Sequence, residues 1–133
     1  MNAVSLIGCG FVADFYMRSF KTFPEVQVLG AYDHDPMRMA AFCAYWNIPS
    51  FPSRDALFAT HPKDGVILNL TNPSAHFEVN QASLKAGFHT YSEKPLATGM
   101  NDAKTLHALA TKSNLLLASA PCSVLGEAAQ TLA

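Results

Sequence analysis

The sequence predicts an α/β fold built on a doubly wound parallel sheet. Three observations predict it: short apolar runs alternate with segments of helical period, a Gly-x-Gly-x-x-Ala turn follows the first run, and an aspartate ends the second. At 133 residues, half of them apolar, the chain has room for one ordinary domain with a sizeable core.

The first strand is expected over residues 1–8, where Val4, Leu6 and Ile7 suit a strand covered on both faces. Gly8-Cys9-Gly10-Phe11-Val12-Ala13 then turns into a helix reaching about residue 22. That helix is expected to bury some of Val12, Phe15, Tyr16 and Phe20 against the sheet, its phenylalanines read as core, and Pro24 prevents its continuation. The second strand, residues 26–32, runs to Asp33. Pro36 suits the first position of a helix that reaches Trp46, with Cys43 and Trp46 in or near the core.

Pro49 and Pro52 bracket a short third strand or an extended link, and Ser53 can cap a brief helix through Phe58. His61-Pro62-Lys63-Asp64-Gly65 reads as a turn-rich loop with His61 solvated. Residues 66–70 form the fourth strand. A helix begins at Thr71-Asn72-Pro73-Ser74 and runs to Lys85-Ala86, where Gly87 suits a left-handed stop. Residues 88–92 form the fifth strand and deliver Glu93-Lys94-Pro95. Thr98 is the expected cap of the next helix, which carries Met100, Ala103, Leu106, Leu109 and Ala110 at helical spacing, and His107 as a surface or packing residue. Asn114 ends that helix, residues 115–119 make the sixth strand, and residues 123–133 read as helical after the break at Pro121.

Composition excludes several classes. A formal charge of −1 and basic residues scattered from Arg18 to Lys112 argue against a nucleic-acid surface. No window approaches a membrane span, and the early first strand leaves no room for a signal peptide. Cys9, Cys43 and Cys122 are odd in number and far apart, with no metal-ligand spacing, so no metal is expected and a reduced cytoplasm is the expected setting.

The glycine turn carries the chemistry. A dinucleotide site wants Gly8 for the tight turn, Gly10 so that backbone can approach a pyrophosphate, and a small Ala13 for close helix–strand packing. The first N–H groups of the following helix, at Phe11 and Val12, are offered to the phosphates. Glycine turns also arise for purely steric reasons, but Asp33 stands where a carboxylate takes the ribose hydroxyls of an adenosine. The alternative for Asp33 is a cap on the next helix. His34 and Arg38 sit where a 2′-phosphate would be read, whereas the charge of Asp33 would repel it; NAD is favoured, with NADP the alternative. Because ligands in such sheets lie beyond the carboxyl ends of the strands, these residues, Thr71 to Ser74 and the end of the fifth strand are expected to share one crevice.

Gly8-x-Gly10-x-x-Ala13 with Asp33, then Asn72-Pro73 with His76, then the segment from Ala86 through Glu93-Lys94-Pro95 to Ala97, resembles the amino-terminal Rossmann-type domain of the glucose-fructose oxidoreductase, inositol dehydrogenase and MocA (Gfo/Idh/MocA) family over roughly residues 3–120. The resemblance implies NAD or NADP as cofactor and a sugar, polyol or related secondary alcohol as substrate. It implies that Lys94 is the catalytic lysine at the reacting oxygen, with Glu93 positioning Lys94 or the cofactor. Thr71, Asn72 and Pro73 then lie along the ribose and nicotinamide side, with His76 at that edge or on the helix surface, and a cis bond before Pro95 is expected. The sequence departs from the family at Ser119-Ala120-Pro121-Cys122-Ser123, where many relatives carry an asparagine or arginine.

Residues 1–120 are thus expected to form the cofactor domain, and residues 121–133 to start a helix leading toward a second α/β domain that the sequence lacks. The fragment itself is expected to bind dinucleotide and turn over little or nothing. The full-length form is expected to be a homo-oligomer. A non-catalytic dinucleotide-sensing or regulatory module of the same fold stays open as the alternative, as does an isolated structural domain that pairs with itself.

Overall fold

In the computed structural model residues 2–120 are described; the expected helix over residues 123–133, Pro121 and Cys122 lie outside them. The elements are β1 (Ala3–Ile7), α1 (Phe11–Phe20), β2 (Gln27–Tyr32), α2 (Pro36–Trp46), α3 (Arg54–Thr60), β3 (Val66–Asn69), α4 (Pro73–Lys85), β4 (His89–Ser92), α5 (Met100–Lys112) and β5 (Leu117–Ser119). The five strands are all parallel, in the order β2-β1-β3-β4-β5. The segment expected as a third strand or link is the link: it contributes one bridge, Ser50 to Ala31, beside β2.

Register decides where the site lies. Tyr32, Ile7, Asn69, Ser92 and Ser119 stand in one row across the sheet, so the residues that follow them emerge along one edge. The row continues by one rung, with N–H groups of Gly8, Leu70, Glu93 and Ala120 donating to Tyr32, Ile7, Asn69 and Ser92.

Local chemistry sets the helix ends much as expected. Asp35 caps α2 by accepting from the N–H groups of Met37 and Arg38, with Pro36 in its first turn, and Ser53 caps α3 by accepting from Ala56. Asn47, Gly87 and Asn114 take positive φ just beyond α2, α4 and α5. At α5 the cap residue is Gly99 and no side chain bonds the free N–H groups, so Thr98 is not the cap.

One apolar cluster packs Leu6, Ala13, Met17, Ala31 and Phe42 between the sheet, α1 and α2; another packs Ile7, Leu57, Ile67, Val79 and Phe88 on the opposite face. Each fully buried Leu or Phe contributes about 1.5–3 kcal/mol. The stripe that α1 buries is Ala13 and Met17, with Tyr16 and Phe20 beside it. Positions 11, 12 and 15 fall on the other side of the helix, so Phe11, Val12 and Phe15 are exposed rather than core.

His61 also differs from expectation. It is buried, edge-on to Phe88, with Nδ1 2.9 Å from the Ser5 hydroxyl and Nε2 without a hydrogen-bond partner among the described residues. The turn that it opens folds back under the sheet, and a Cβ at Gly65 would collide with its ring. Burial pushes its pKa down to about 4, with Lys63 adding to the shift and Asp64 opposing it.

Candidate functional site

At the carboxyl edge of the sheet a crevice of about 740 Å³ opens between the glycine turn, the end of β2 and the start of α4. Gly8, Gly10, Asp33, His34, Arg38, Thr71 and Asn72 line it. Arg54 and Glu78 line it too, joined by an ion pair of 2.6 Å, and sequence reading gave no sign of either.

The two turn glycines are there for different reasons. Gly8 has φ +101°, and a Cβ there would lie 2.7 Å from the backbone of Leu70. A Cβ on Gly10 would meet nothing within 4 Å. Packing among the described residues therefore gives no reason for glycine at position 10, whereas a site in which a phosphate approaches the backbone, as the sequence pattern leads one to expect, would give one. Gly10 is also the N-cap of α1, and no side chain among the described residues caps that end, so the first N–H groups of the helix, at Phe11 and Val12, are not taken by such a cap. The buried Ala13 lets α1 pack close behind the turn.

Asp33 lies at the mouth of this turn, not on the far edge. Its Oδ2 accepts from Cys9 N at 2.8 Å and Arg38 Nε at 3.0 Å; its Oδ1 accepts from Asp35 N at 2.8 Å and Arg38 Nη2 at 2.7 Å. His34 Nδ1 stands 3.3 Å away. Burial alone would raise the carboxyl's pKa, but the bonds from Arg38, Asp35 and Cys9 outweigh it and hold it down at about 2. Asp33 is therefore a charged anchor between strand end and glycine turn, and Asp35, not Asp33, caps the helix. The Cys9 thiol is buried beside it and pushed up to about 12 by burial, with Cys43 and Asp33 adding to the shift, so it is no nucleophile at neutral pH.

Glu93 and Lys94 follow β4 at the same edge but do not line the crevice, and neither do Phe11, Val12, Pro73 or His76. Lys94 is exposed, and among the described residues its ammonium makes no ion pair. Its backbone, by contrast, is held. Glu93 Oε2 accepts from Lys94 N at 3.1 Å, and Glu93 Oε1 accepts from the Tyr16 hydroxyl on α1 at 2.7 Å. Burial and the bond to Glu93 raise the Tyr16 pKa, which keeps the phenol a donor. The Lys94–Pro95 peptide is cis, as the tripeptide's resemblance implied. His76 is fully buried rather than on the helix surface, with one ring nitrogen against the carbonyl oxygen of Pro95 and the other 2.9 Å from that of Thr71. Tyr16 carried no sequence signal beyond helical spacing.

The family model for the Gfo/Idh/MocA oxidoreductases, described as an oxidoreductase family with an NAD-binding Rossmann fold, matches residues 3–120. The chain belongs to that family. Among its curated relatives, a UDP-N-acetylglucosamine 3-dehydrogenase of Acidithiobacillus ferrooxidans is 30% identical over 113 residues, covering 85% of this chain and 34% of the relative. An inositol 2-dehydrogenase/D-chiro-inositol 3-dehydrogenase of Lactiplantibacillus plantarum is 31% identical over 99 residues, covering 73% of this chain and 28% of the relative. The crystal structure of biliverdin reductase from Synechocystis with biliverdin and NADP+ superposes with a TM-score of 0.86 at 25% identity, over 98% of this chain and 41% of that one. The Gfo/Idh/MocA chain described here thus spans about a third of the length of the curated relatives it matches. It is an NAD(P)-binding domain of an oxidoreductase family. No helix among the described residues is long and apolar enough to cross a membrane, and no cluster of three metal-ligating side chains occurs among them.

Proposed function

We propose that this chain is the cofactor half of a dehydrogenase in which hydride passes between a nicotinamide and a carbon bearing a secondary alcohol or ketone in a sugar, polyol or nucleotide-linked sugar. The observation that carries the reading is the shared edge of the sheet: the glycine turn, Asp33, Thr71 and Asn72 gather at one crevice, and Lys94 leaves β4 at the neighbouring strand end. The cofactor supplies the hydride chemistry when bound. The protein's part is to bind and orient. The amides of Gly10, Phe11 and Val12 take the phosphates, the Asp33, His34 and Arg38 group meets the adenosine ribose, and Thr71, Asn72 and Pro73 flank the nicotinamide side. Lys94 Nζ, an exposed ammonium with no ion pair among the described residues, holds or exchanges the proton of the substrate oxygen.

Residues 1–120 make up the cofactor domain in this reading, and because that stretch corresponds to only about a third of the relatives' length, by itself it binds dinucleotide without turnover. The proposed setting is the cytoplasm, with the full-length protein a homo-oligomer. The relatives' names choose the assay: full-length protein with NAD+ or NADP+ is screened against UDP-N-acetylglucosamine, inositol, D-chiro-inositol and related polyols. Turnover that Lys94→Ala abolishes, with dinucleotide binding retained, supports the reading. Dinucleotide binding with no turnover on any member of the panel, and full biological output from Lys94→Ala, would replace it with a sensing role.

A further inference from the structure

Lys94 is an exposed side chain on a loop, yet the backbone on either side of it is fixed by buried polar groups from α4. The ring of His76 stands between the carbonyl oxygens of Thr71 and Pro95, so whichever nitrogen carries the proton donates to backbone. One turn further on, Asn80 Nδ2 donates to the Leu96 carbonyl at 3.1 Å and to Ser92 Oγ at 3.0 Å, while its Oδ1 accepts from Asn69 Nδ2 at 2.8 Å. Asn69 Oδ1 in turn accepts from the Thr71 hydroxyl at 2.6 Å. His76, Asn80, Asn69 and Ser92 are all fully buried.

This network is a poor way to stabilise a helix–sheet contact, since buried polar groups of this kind gain little over apolar packing and cost heavily when one partner is lost. Its geometry has a different consequence. Two successive carbonyls after Lys94 and the loop at Thr71 are bonded to side chains one helical turn apart, so the lysine loop and the crevice loop are tied to the same stretch of α4.

We propose that His76, together with Asn80, is a positioning residue that holds the Lys94 loop in register with the cofactor loop at Thr71. The inference rests on the proposed function, which puts both loops at the nicotinamide end. It gives His76 a part that its burial allows, in place of a contact with the cofactor edge.

The test uses two ligands in the full-length protein: ADP, which lacks the nicotinamide, and NADH, which has it. In His76→Gln and Asn80→Ser, ADP affinity is expected to stay within about twofold of the parent while NADH weakens at least fivefold. Amide hydrogen exchange over residues 93–97 is expected to accelerate at least tenfold, with the β1 and β3 amides unchanged. Parallel loss of ADP and NADH affinity, or unchanged exchange over residues 93–97, would overturn the proposal and leave a structural role only. Should His76→Gln not fold, Asn80→Ser, which leaves the ring in place, decides on the same readings. Failure of the unmodified protein to bind either ligand would instead overturn the cofactor reading beneath it.

Discussion

Asp33 accepts the backbone N–H of Cys9 across 2.8 Å, so the end of β2 is fastened to the glycine turn that follows β1. The same carboxylate is gripped by Arg38 at both oxygens, and the three residues form one rigid rim on the crevice. Substituting Asp33→Asn should therefore cost both stability and ligand affinity. A carboxyl held near 2, against an ordinary 3.8, contributes about 2 kcal/mol above pH 4. That contribution is lost as pH falls from about 4 to about 2, and urea unfolding of parent and variant at pH 7 and pH 3 measures it: the gap should shrink at the lower pH.

Gly8 and Gly10 should separate cleanly. Gly8→Ala sets a side chain in a positive-φ turn against the backbone of Leu70 and Thr71, and about 2–4 kcal/mol of stability should go. Gly10→Ala meets open space, so stability should change by no more than about 1 kcal/mol. Dinucleotide affinity should nonetheless fall about tenfold or more, because in the proposed site the added methyl would stand where the phosphate approaches. Thermal unfolding and calorimetric titration of the two variants check the contrast.

His61 should make the fold acid-sensitive well above the range of the carboxylates. The folded ring stays neutral down to about pH 4, whereas the unfolded ring takes a proton near 6.5. The unfolded chain therefore binds the extra proton between those values, and stability should fall by up to about 3 kcal/mol as pH drops from 6.5 to 4. His61→Asn, which keeps an acceptor toward Ser5, should flatten that slope in urea titrations run at half-unit pH steps. An unchanged slope would place the proton uptake elsewhere.

Tyr16→Phe removes the only side-chain donor recorded for the Glu93 carboxylate among the described residues. The expected cost is about 1–2 kcal/mol, by chemical denaturation, since a part-buried carboxylate loses its phenol partner. If the proposed function holds, the same change in the full-length protein should lower kcat more than it raises KM for the dinucleotide, because Tyr16 reaches the Lys94 loop through Glu93 and does not touch the glycine turn.

The parts of this fold that the sequence made legible are those set by local sterics and period. Gly8 and Gly87 announced positive-φ turns, Pro36 and Ser53 announced helix starts, and the apolar runs announced strands whose carboxyl ends share an edge. The aspartate at position 33 stands out by its place after a strand, and the Glu93-Lys94-Pro95 tripeptide by its resemblance to the family's motif. What stayed hidden depends on contacts between distant segments. Nothing local to Arg38 says that it grips Asp33, and helical spacing alone did not separate Tyr16, which faces Glu93, from Phe15, which faces solvent. From its neighbours His61 reads as solvated, and His76 as lying at the cofactor edge or on the helix surface. Both are buried, because one turn folds under the sheet and the other ring closes a gap between two loops.

The central claim, that a dinucleotide rests on the amides beyond β1 with its adenosine toward the end of β2, is tested most directly by following backbone amide resonances of the chain during titration with NAD+ and NADP+. Saturable shifts confined to residues 8–12, 33–38 and 71–74, with the β1 start and residues 61–66 at the other end of the sheet unmoved, are the result expected. Shifts centred on residues 61–66, or none at millimolar dinucleotide, would contradict it.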